Sequence, residues 1–263
     1  MSFRLLRNAA VLVVGAAIVT PFAWGSGFHI YEQGAKASGQ AVAFAARADD
    51  ASAVYYNPAA MVWLEGRQAA LGASAVFLGD TSFDSNMDRT GSPLFTGGEF
   101  DMTSNTRYVP HAYYAKGAGD GRVAYGLGVF APFGLVTEWG PEFDGRFSAR
   151  ESDLQTWVIN GNIAFKVSDH WAVAVGVDKL EIELKAFSRN LPPSETMPVE
   201  ALFNLEGDGD KAGWNAALSY RSETWAFGLT YRSGFEVGLE GEAIVSVPLV
   251  PGGPETAATA PMK

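Results

Sequence analysis

The chain contains no cysteine. That absence removes disulfide frameworks, thiolate metal sites and cysteine nucleophiles, and it is compatible with an exported protein. Basic charge is also scarce, with 19 Lys and Arg against 29 Asp and Glu and a net charge of -10. A nucleic-acid partner needs clustered cations to neutralise phosphates, so that class is excluded. Long apolar runs are missing but for one, Ala9–Val19, of about 11 residues. A spanning helix needs about 20.

What is present begins with that short run. Arg4 and Arg7 precede it, Pro21 breaks it, and Ala23-Trp24-Gly25 sets small residues at the -3 and -1 positions. This is the pattern of a secretory signal, so residues 1–25 are expected to be a leader and the mature chain to start near Ser26. An N-terminal anchor helix is the alternative, disfavoured by length. Without Arg4 and Arg7 the net charge moves from -10 to -12.

From Arg67 the chain reads as short segments with period-two alternation, which puts alternate residues on opposite faces of a strand. Trp157, Ile159, Ile163, Phe165 and Val167 share one parity, and Thr156, Asn160, Asn162 and Lys166 the other. Leu71 to Phe77, Val123 to Val129, Trp214 to Tyr220 and Trp225 to Tyr231 behave likewise. A soluble sandwich also alternates. Two features favour a transmembrane barrel: aromatics near segment ends (Trp157, Trp171, Trp214, Tyr220, Trp225, Tyr231) and connections that alternate in length. Gly117–Gly121, Ser168–His170 and Ser222–Thr224 are tight; Gly79–Asn105, Pro132–Ser152 and Ser188–Lys211 are long and rich in Pro, Gly, Asp and Glu. Seven strands are expected, over 67–78, 106–116, 122–131, 153–167, 171–187, 212–221 and 225–237.

Two irregularities interrupt the pattern. Leu180, Ile182 and Leu184 fall on the parity opposite to Trp171–Val177, which implies a β-bulge near Asp178–Lys179 or a strand leaving the membrane. Pro132 removes a ladder donor and Gly134 follows, which implies a strand end or a kink. Residues 26–66 are too polar for lipid, with a short helix expected around Ala35–Ala46 and a turn at Asn57-Pro58-Ala59. Inside a barrel such a segment would be a plug.

No catalytic constellation emerges. His29, His111 and His170 are dispersed without metal-ligand spacing, and Ser148 and Ser152 sit in an expected external loop without a base and orienting acid. Asp80, Asp84 and Asp88, or Glu206, Asp208 and Asp210, resemble an ion-binding loop only distantly. No enzyme activity, cofactor or metal is expected. For an apolar ligand the candidates are residues not assigned to lipid: Phe130, Phe133, Leu135, Phe143, Phe147 and Phe203, with Arg146, Arg150 and Lys211 as sources of charge.

These residues also carry a resemblance. Gly27-Phe28, Gly39, Ala41, Ala48-Asp49-Asp50-Ala51 and Asn57-Pro58-Ala59 resemble the N-terminal hatch of the FadL/TodX family of outer-membrane transporters. Pro132-Phe133-Gly134-Leu135 with Thr137-Glu138-Trp139, Gly213-Trp214-Asn215-Ala216 and Leu229–Ser233 are similar to later family segments, in the family's order. The likeness runs from residue 26 to about 245. It implies an all-β antiparallel transmembrane barrel of about fourteen strands, plugged by an N-terminal hatch, in a Gram-negative outer membrane. It implies uptake of long-chain fatty acids or aromatic hydrocarbons, with sideways exit at a kink in the third strand. Pro132 and Gly134 then become lateral-gate candidates, with Asn57, Pro58 and Ala59 of the hatch close to that opening. A non-transport surface barrel (adhesin or structural) and a general porin are the alternatives.

The expected organisation is thus a leader (1–25), a hatch (26–66), the first seven strands (67–245) and the start of an external loop (246–263). Seven strands leave two edges unpaired in lipid, so the chain is expected to be the first half of a barrel that is monomeric when complete, the less favoured alternative being that two or more chains close one barrel together. Expected partners are a hydrophobic small molecule and outer-membrane lipid.

Overall fold

The computed structural model describes residues 28–119, 121–195, 198–248 and 255–262. The expected leader lies outside the described residues. One antiparallel sheet dominates. Its strands are β1 (Arg67–Phe77), β4 (Thr106–Lys116), β5 (Val123–Phe130), β6 (Gly134–Glu138), β7 (Glu151–Lys166), β8 (Trp171–Leu191), β9 (Ala201–Arg221), β10 (Ala226–Arg232), β11 (Glu240–Pro248) and β12 (Glu255–Met262). A separate hairpin pairs β2 (Ser82–Ser85) with β3 (Gly98–Asp101). The order β1-β4-β5-β7-β8-β9-β11-β12 follows the chain, with β6 on β7 and β10 on β9. This is an up-and-down meander, and the tight and long connections fall at opposite ends of it.

Its outward face is apolar. Trp157, Ile159, Ile163 and Phe165 on β7, Trp171, Val173, Val175 and Val177 on β8, and Phe227, Leu229 and Tyr231 on β10 are exposed. The inward set is small or polar: Thr156, Asn160, Asn162, Ala172, Ala174, Asn215, Ala217 and Ser219 are buried. Among the described residues no helix is long and apolar enough to cross a membrane. An apolar outside around a polar inside is the pattern of a strand-built membrane protein.

The pairing settles the parity change on β8. Asp178 and Lys179 pair in unbroken register with Gly213 and Ala212, so no bulge lies there; the irregularity falls later, between Leu184 and Phe187. Beyond Val177 the outward face instead turns charged, with Lys179, Glu181 and Glu183, as a strand emerging from lipid requires. The linker Ser188–Lys211, expected to be a loop, is largely strand: β8 runs to Leu191 and β9 starts at Ala201. Two long strands can extend past the membrane because each supplies the other's hydrogen bonds. Residues 255–262, in the stretch read as an external loop, form β12 on β11.

The N-terminal hatch fills the inner face. Helix α1 (Ala35–Ser38) is shorter than expected, because Gly39 ends it and Ala41 and Val42 take positive φ. Helix α2 (Ala53–Tyr56) leads to Asn57, which caps a 3-10 turn over Pro58–Trp63. Phe44, Val54, Ala59, Ala60 and Met61 are fully buried against Ala115, Ala124, Ala164 and Ala172 of the wall. A Cβ on Gly126 would meet Val54 at 2.5 Å and Met61 at 2.6 Å, so glycine there gives the hatch its space. Polar ties add direction: Asn162 donates to the Val54 carbonyl at 3.0 Å, Trp63 to the Ser219 hydroxyl at 3.1 Å and Tyr113 to the Gln33 carbonyl at 2.9 Å.

Asn57 is the most heavily used of these. Its side chain donates to the carbonyls of Ala45 (2.7 Å) and Leu218 (3.3 Å) and accepts from the Ala59 amide at 3.1 Å. In the full-length protein Asn57→Ala leaves these buried groups unpaired and is expected to loosen the hatch by about 1–3 kcal/mol. Faster nitrocefin entry into intact cells, with the barrel still heat-modifiable on gels, checks this; unchanged permeability would contradict it.

Candidate functional site

The third long strand of the sheet is split. β5 pairs with both β4 and β7, the last β4 pair being His111↔Phe130. The ladder stops at Ala131-Pro132-Phe133 and resumes as β6, which pairs with β7 alone. Residues 131–133 face one residue fewer on β7, since Phe130 pairs Val158 and Gly134 pairs Gln155. A gap therefore opens between Thr106–Pro110 of β4 and the β6–β7 pair. It is closed at its far end by the Met102↔Trp139 bridge and by the Thr103 amide on the Glu138 carbonyl at 2.8 Å. The result is a window with a complete rim.

Such a break exposes backbone groups at membrane depth, where each unsatisfied one costs several kcal/mol. Every one of the following groups finds a partner. Pro132 has no N–H to lose, and its carbonyl accepts from the Ile30 amide at 2.7 Å. The Ala131 carbonyl accepts from Gln33 Nε2 at 2.8 Å. The Thr156 hydroxyl accepts from the Phe133 amide (3.1 Å) and donates to the Phe133 carbonyl (2.7 Å). The Gly134 amide donates to the Phe28 carbonyl at 3.3 Å. The first described residues of the hatch thus line the broken strand from inside.

A cavity of about 370 Å³ occupies the window, with Val76, Leu78, Val109, Val136 and Leu154 as apolar walls and Ile30 and Phe133 at its inner end. That is within the volume range of small-molecule sites, and its lining is mostly apolar. A larger hollow of about 760 Å³ runs along β8, β9 and β11 on the outer face, lined by Glu181, Glu183, Glu206, Asp208 and Asp210. It is open and charged, so the smaller cavity is the better seat for an apolar molecule.

Behind Phe133 lies an aromatic and ionic layer. Phe133 packs on His29 (4.8 Å between ring centres), and His29 stacks on Tyr31 and shares a 3.0 Å hydrogen bond with Tyr55. Burial, and then the Arg232 charge, lower His29 to about 4, so it is neutral at ordinary pH. Tyr55 packs on Phe130 at 4.8 Å, and the Arg232 guanidinium sits over both rings. Arg232 pairs with the buried Asp178, which also accepts from Asn160 (2.8 Å) and Asn215 (3.2 Å). The cluster ties β7, β8, β9 and β10 together beneath the hatch.

The sequence-derived candidates divide. Pro132 and Phe133 lie in the break, Gly134 opens β6 at its edge, and Phe130 is buried below it. Leu135 sits on β6 opposite Leu154. Phe143 and Phe147 are elsewhere, packed among the long connections: Phe143 against Trp139, Phe83 and Phe100, Phe147 against Phe95. Phe203 lies far along β9 under Arg189. Asn57, Pro58 and Ala59 do not line the window cavity; the Asn57 side chain bonds the Leu218 carbonyl of β9, and residues 28–33 meet the break instead. Arg146 is not free for a ligand, because Glu200 holds it at 2.7 Å. Glu206, Asp208 and Asp210 lie on β9 rather than in a loop. Arg107, Thr156, Gln33 and Ile30 were missed. Continuing the alternation along 106–116 from Tyr113 and His111 would have placed Arg107 on the inward set.

The fold and its window define a class: an outer-membrane β-barrel closed from inside by an N-terminal hatch. The model of the outer membrane protein transport protein family (OMPP1/FadL/TodX) matches residues 16–260, and the chain belongs to that family. It is 28% identical over 267 residues to a long-chain fatty acid transport protein of Escherichia coli, covering 92% of this chain and 58% of that one. The chain thus spans less than two thirds of that relative's length. Two solved structures share the fold. A Pseudomonas aeruginosa FadL homologue has a TM-score of 0.63 and 22% identity, covering 83% of this chain and 54% of that one. The Ralstonia pickettii toluene transporter TbuX has a TM-score of 0.56 and 20% identity, covering 80% and 58%.

The long connections are knotted by charge. Asp144 accepts from the Ser85 hydroxyl (2.7 Å) and the Thr96 and Gly97 amides (both 3.0 Å), while Arg146 joins Glu200 and the Leu94 carbonyl. Burial opposes ionisation of Asp144, but these donors outweigh it and hold its carboxyl below the usual range. The hydrogen bond from Arg146, against burial, does the same for Glu200. A depressed carboxylate stabilises above its unfolded value and loses that contribution as pH falls through the folded one. The knot is expected to hold at neutral pH and loosen below about pH 4. Pepsin cleavage within 79–105 and 139–150 checks this; rates unchanged from pH 4.5 to 2 beyond pepsin's own profile would contradict it.

Proposed function

We propose that the chain forms part of a barrel that carries hydrophobic molecules, fatty acids or aromatic hydrocarbons, across the outer membrane down their gradient. The cavity in the split third strand carries this reading. It is mostly apolar, it lies beside the outward face that meets lipid, and its inner end is formed by Ile30 of the hatch together with Phe133. A molecule held there is shielded from water and leaves sideways into the outer-membrane lipid. The dense packing of hatch against wall favours this route over an open aqueous pore. The names of the E. coli and Ralstonia relatives, a fatty acid transporter and a toluene transporter, point to the same substrate classes.

The test is to fill the window. A Cβ on Gly134 would already lie 3.2 Å from Ile30, so Gly134→Trp places an indole in the cavity. In cells expressing the full-length protein, uptake of radiolabelled oleate and toluene is expected to fall at least tenfold while the barrel stays heat-modifiable. Undiminished uptake of both would contradict exit through this window.

A further inference from the structure

We propose that Arg107 is a specificity-determining residue at the window, holding the carboxylate of an amphiphile whose chain occupies the cavity. The proposal rests on the uptake reading and deepens it. Among the described residues Arg107 is the one charged residue lining the cavity. Every other wall is apolar, hydroxyl or amide, so an anionic head group entering with an apolar chain meets a single cation.

That cation is incompletely engaged. Its Nη2 donates to Asp153 Oδ2 at 3.3 Å, a long, one-pronged contact, and its Nε is buried without a hydrogen-bond partner. Guanidinium and carboxylate normally meet through two parallel hydrogen bonds, shorter than this one. Asp153 is itself shared, accepting from Gln155 Nε2 at 3.3 Å. The window therefore already presents a carboxylate to Arg107, in a geometry that a mobile carboxylate can improve. A ligand acid that takes the guanidinium fork displaces Asp153 and satisfies the orphan Nε–H. A neutral arene or an ester has nothing to offer the fork and leaves the Arg107–Asp153 contact in place.

The pair also crosses the gap from β4 to β7, where no backbone ladder connects the two strands. Exchange of Asp153 for a ligand carboxylate releases this tie as the acid arrives. An acid is thereby bound at the edge it must pass.

Binding of radiolabelled oleate and methyl oleate to the full-length protein in detergent tests this. Arg107→Gln is expected to weaken oleate about tenfold or more and to leave methyl oleate within about twofold, with Arg107→Lys recovering part of the loss. Asp153→Asn, which removes the competing carboxylate, is expected to tighten oleate. If Arg107→Gln fails to give a heat-modifiable barrel, Asp153→Asn carries the test: unchanged or weaker oleate binding overturns the proposal. Equal loss of acid and ester in Arg107→Gln, or no loss of either, also overturns it and leaves the uptake reading standing. Wild-type protein that binds neither probe overturns that reading and the proposal together.

Discussion

Hydrogen-bond satisfaction of the backbone at membrane depth is the constraint on which this structure turns. In lipid, a strand that leaves its ladder strands its N–H and C=O groups, and each costs several kcal/mol. The third strand leaves its ladder anyway, at Ala131–Phe133. It can do so because Pro132 brings no donor, the Thr156 hydroxyl serves both polar groups of Phe133, and Ile30, Gln33 and Phe28 supply the rest. The hatch is thus more than a plug. It substitutes for the missing ladder, so the window and the N-terminal segment form one device.

The same logic shapes the wall. Alanines and glycines on the inward parity let the hatch pack at van der Waals distance, while Asn162 and Ser219 meet its polar atoms. A second departure, at 233–239 between β10 and β11, has one residue more than the part of β9 it faces, and Phe235 and Val237 pack on the core shared by hatch and wall. Arg232 stands at its start, bonded to Asp178 and stacked over Tyr55 and Phe130. Breaking such a buried pair by removing one partner is costly, which marks the cluster as a fixed point behind the window.

How much of this was legible in the sequence follows from where lipid enforces a pattern. Trp157–Val167 and Trp171–Val177 alternate because one face meets hydrocarbon, and those strands stand where alternation placed them. The kink was legible because proline cannot donate. The extension of β8 past Phe187 and of β9 back to Ala201 was not, since outside lipid the lipid-face rule lapses and the polar run Glu206–Lys211 reads as loop. The hatch's path, with Ala41 and Val42 at positive φ, is set by contacts with the wall and has no local signature. Phe143 and Phe147 illustrate the limit of reading aromatics as ligand contacts: their partners are other loop aromatics, brought together by a register no local pattern encodes. Arg107 was hidden for the converse reason, as a single charge whose meaning depends on a cavity formed by strands distant in sequence.

The central claim is that the window at the split third strand is where an apolar molecule sits between barrel and lipid. Photolabelling the full-length protein in outer-membrane vesicles with a diazirine-bearing fatty acid, followed by mapping of the adducts, tests it most directly. The account predicts adducts concentrated on Val109, Phe133, Val136 and Leu154, competed away by excess unlabelled acid. Adducts spread evenly over Leu71, Val175 and Leu229 of the outward face, with none at the window and no competition, would contradict it.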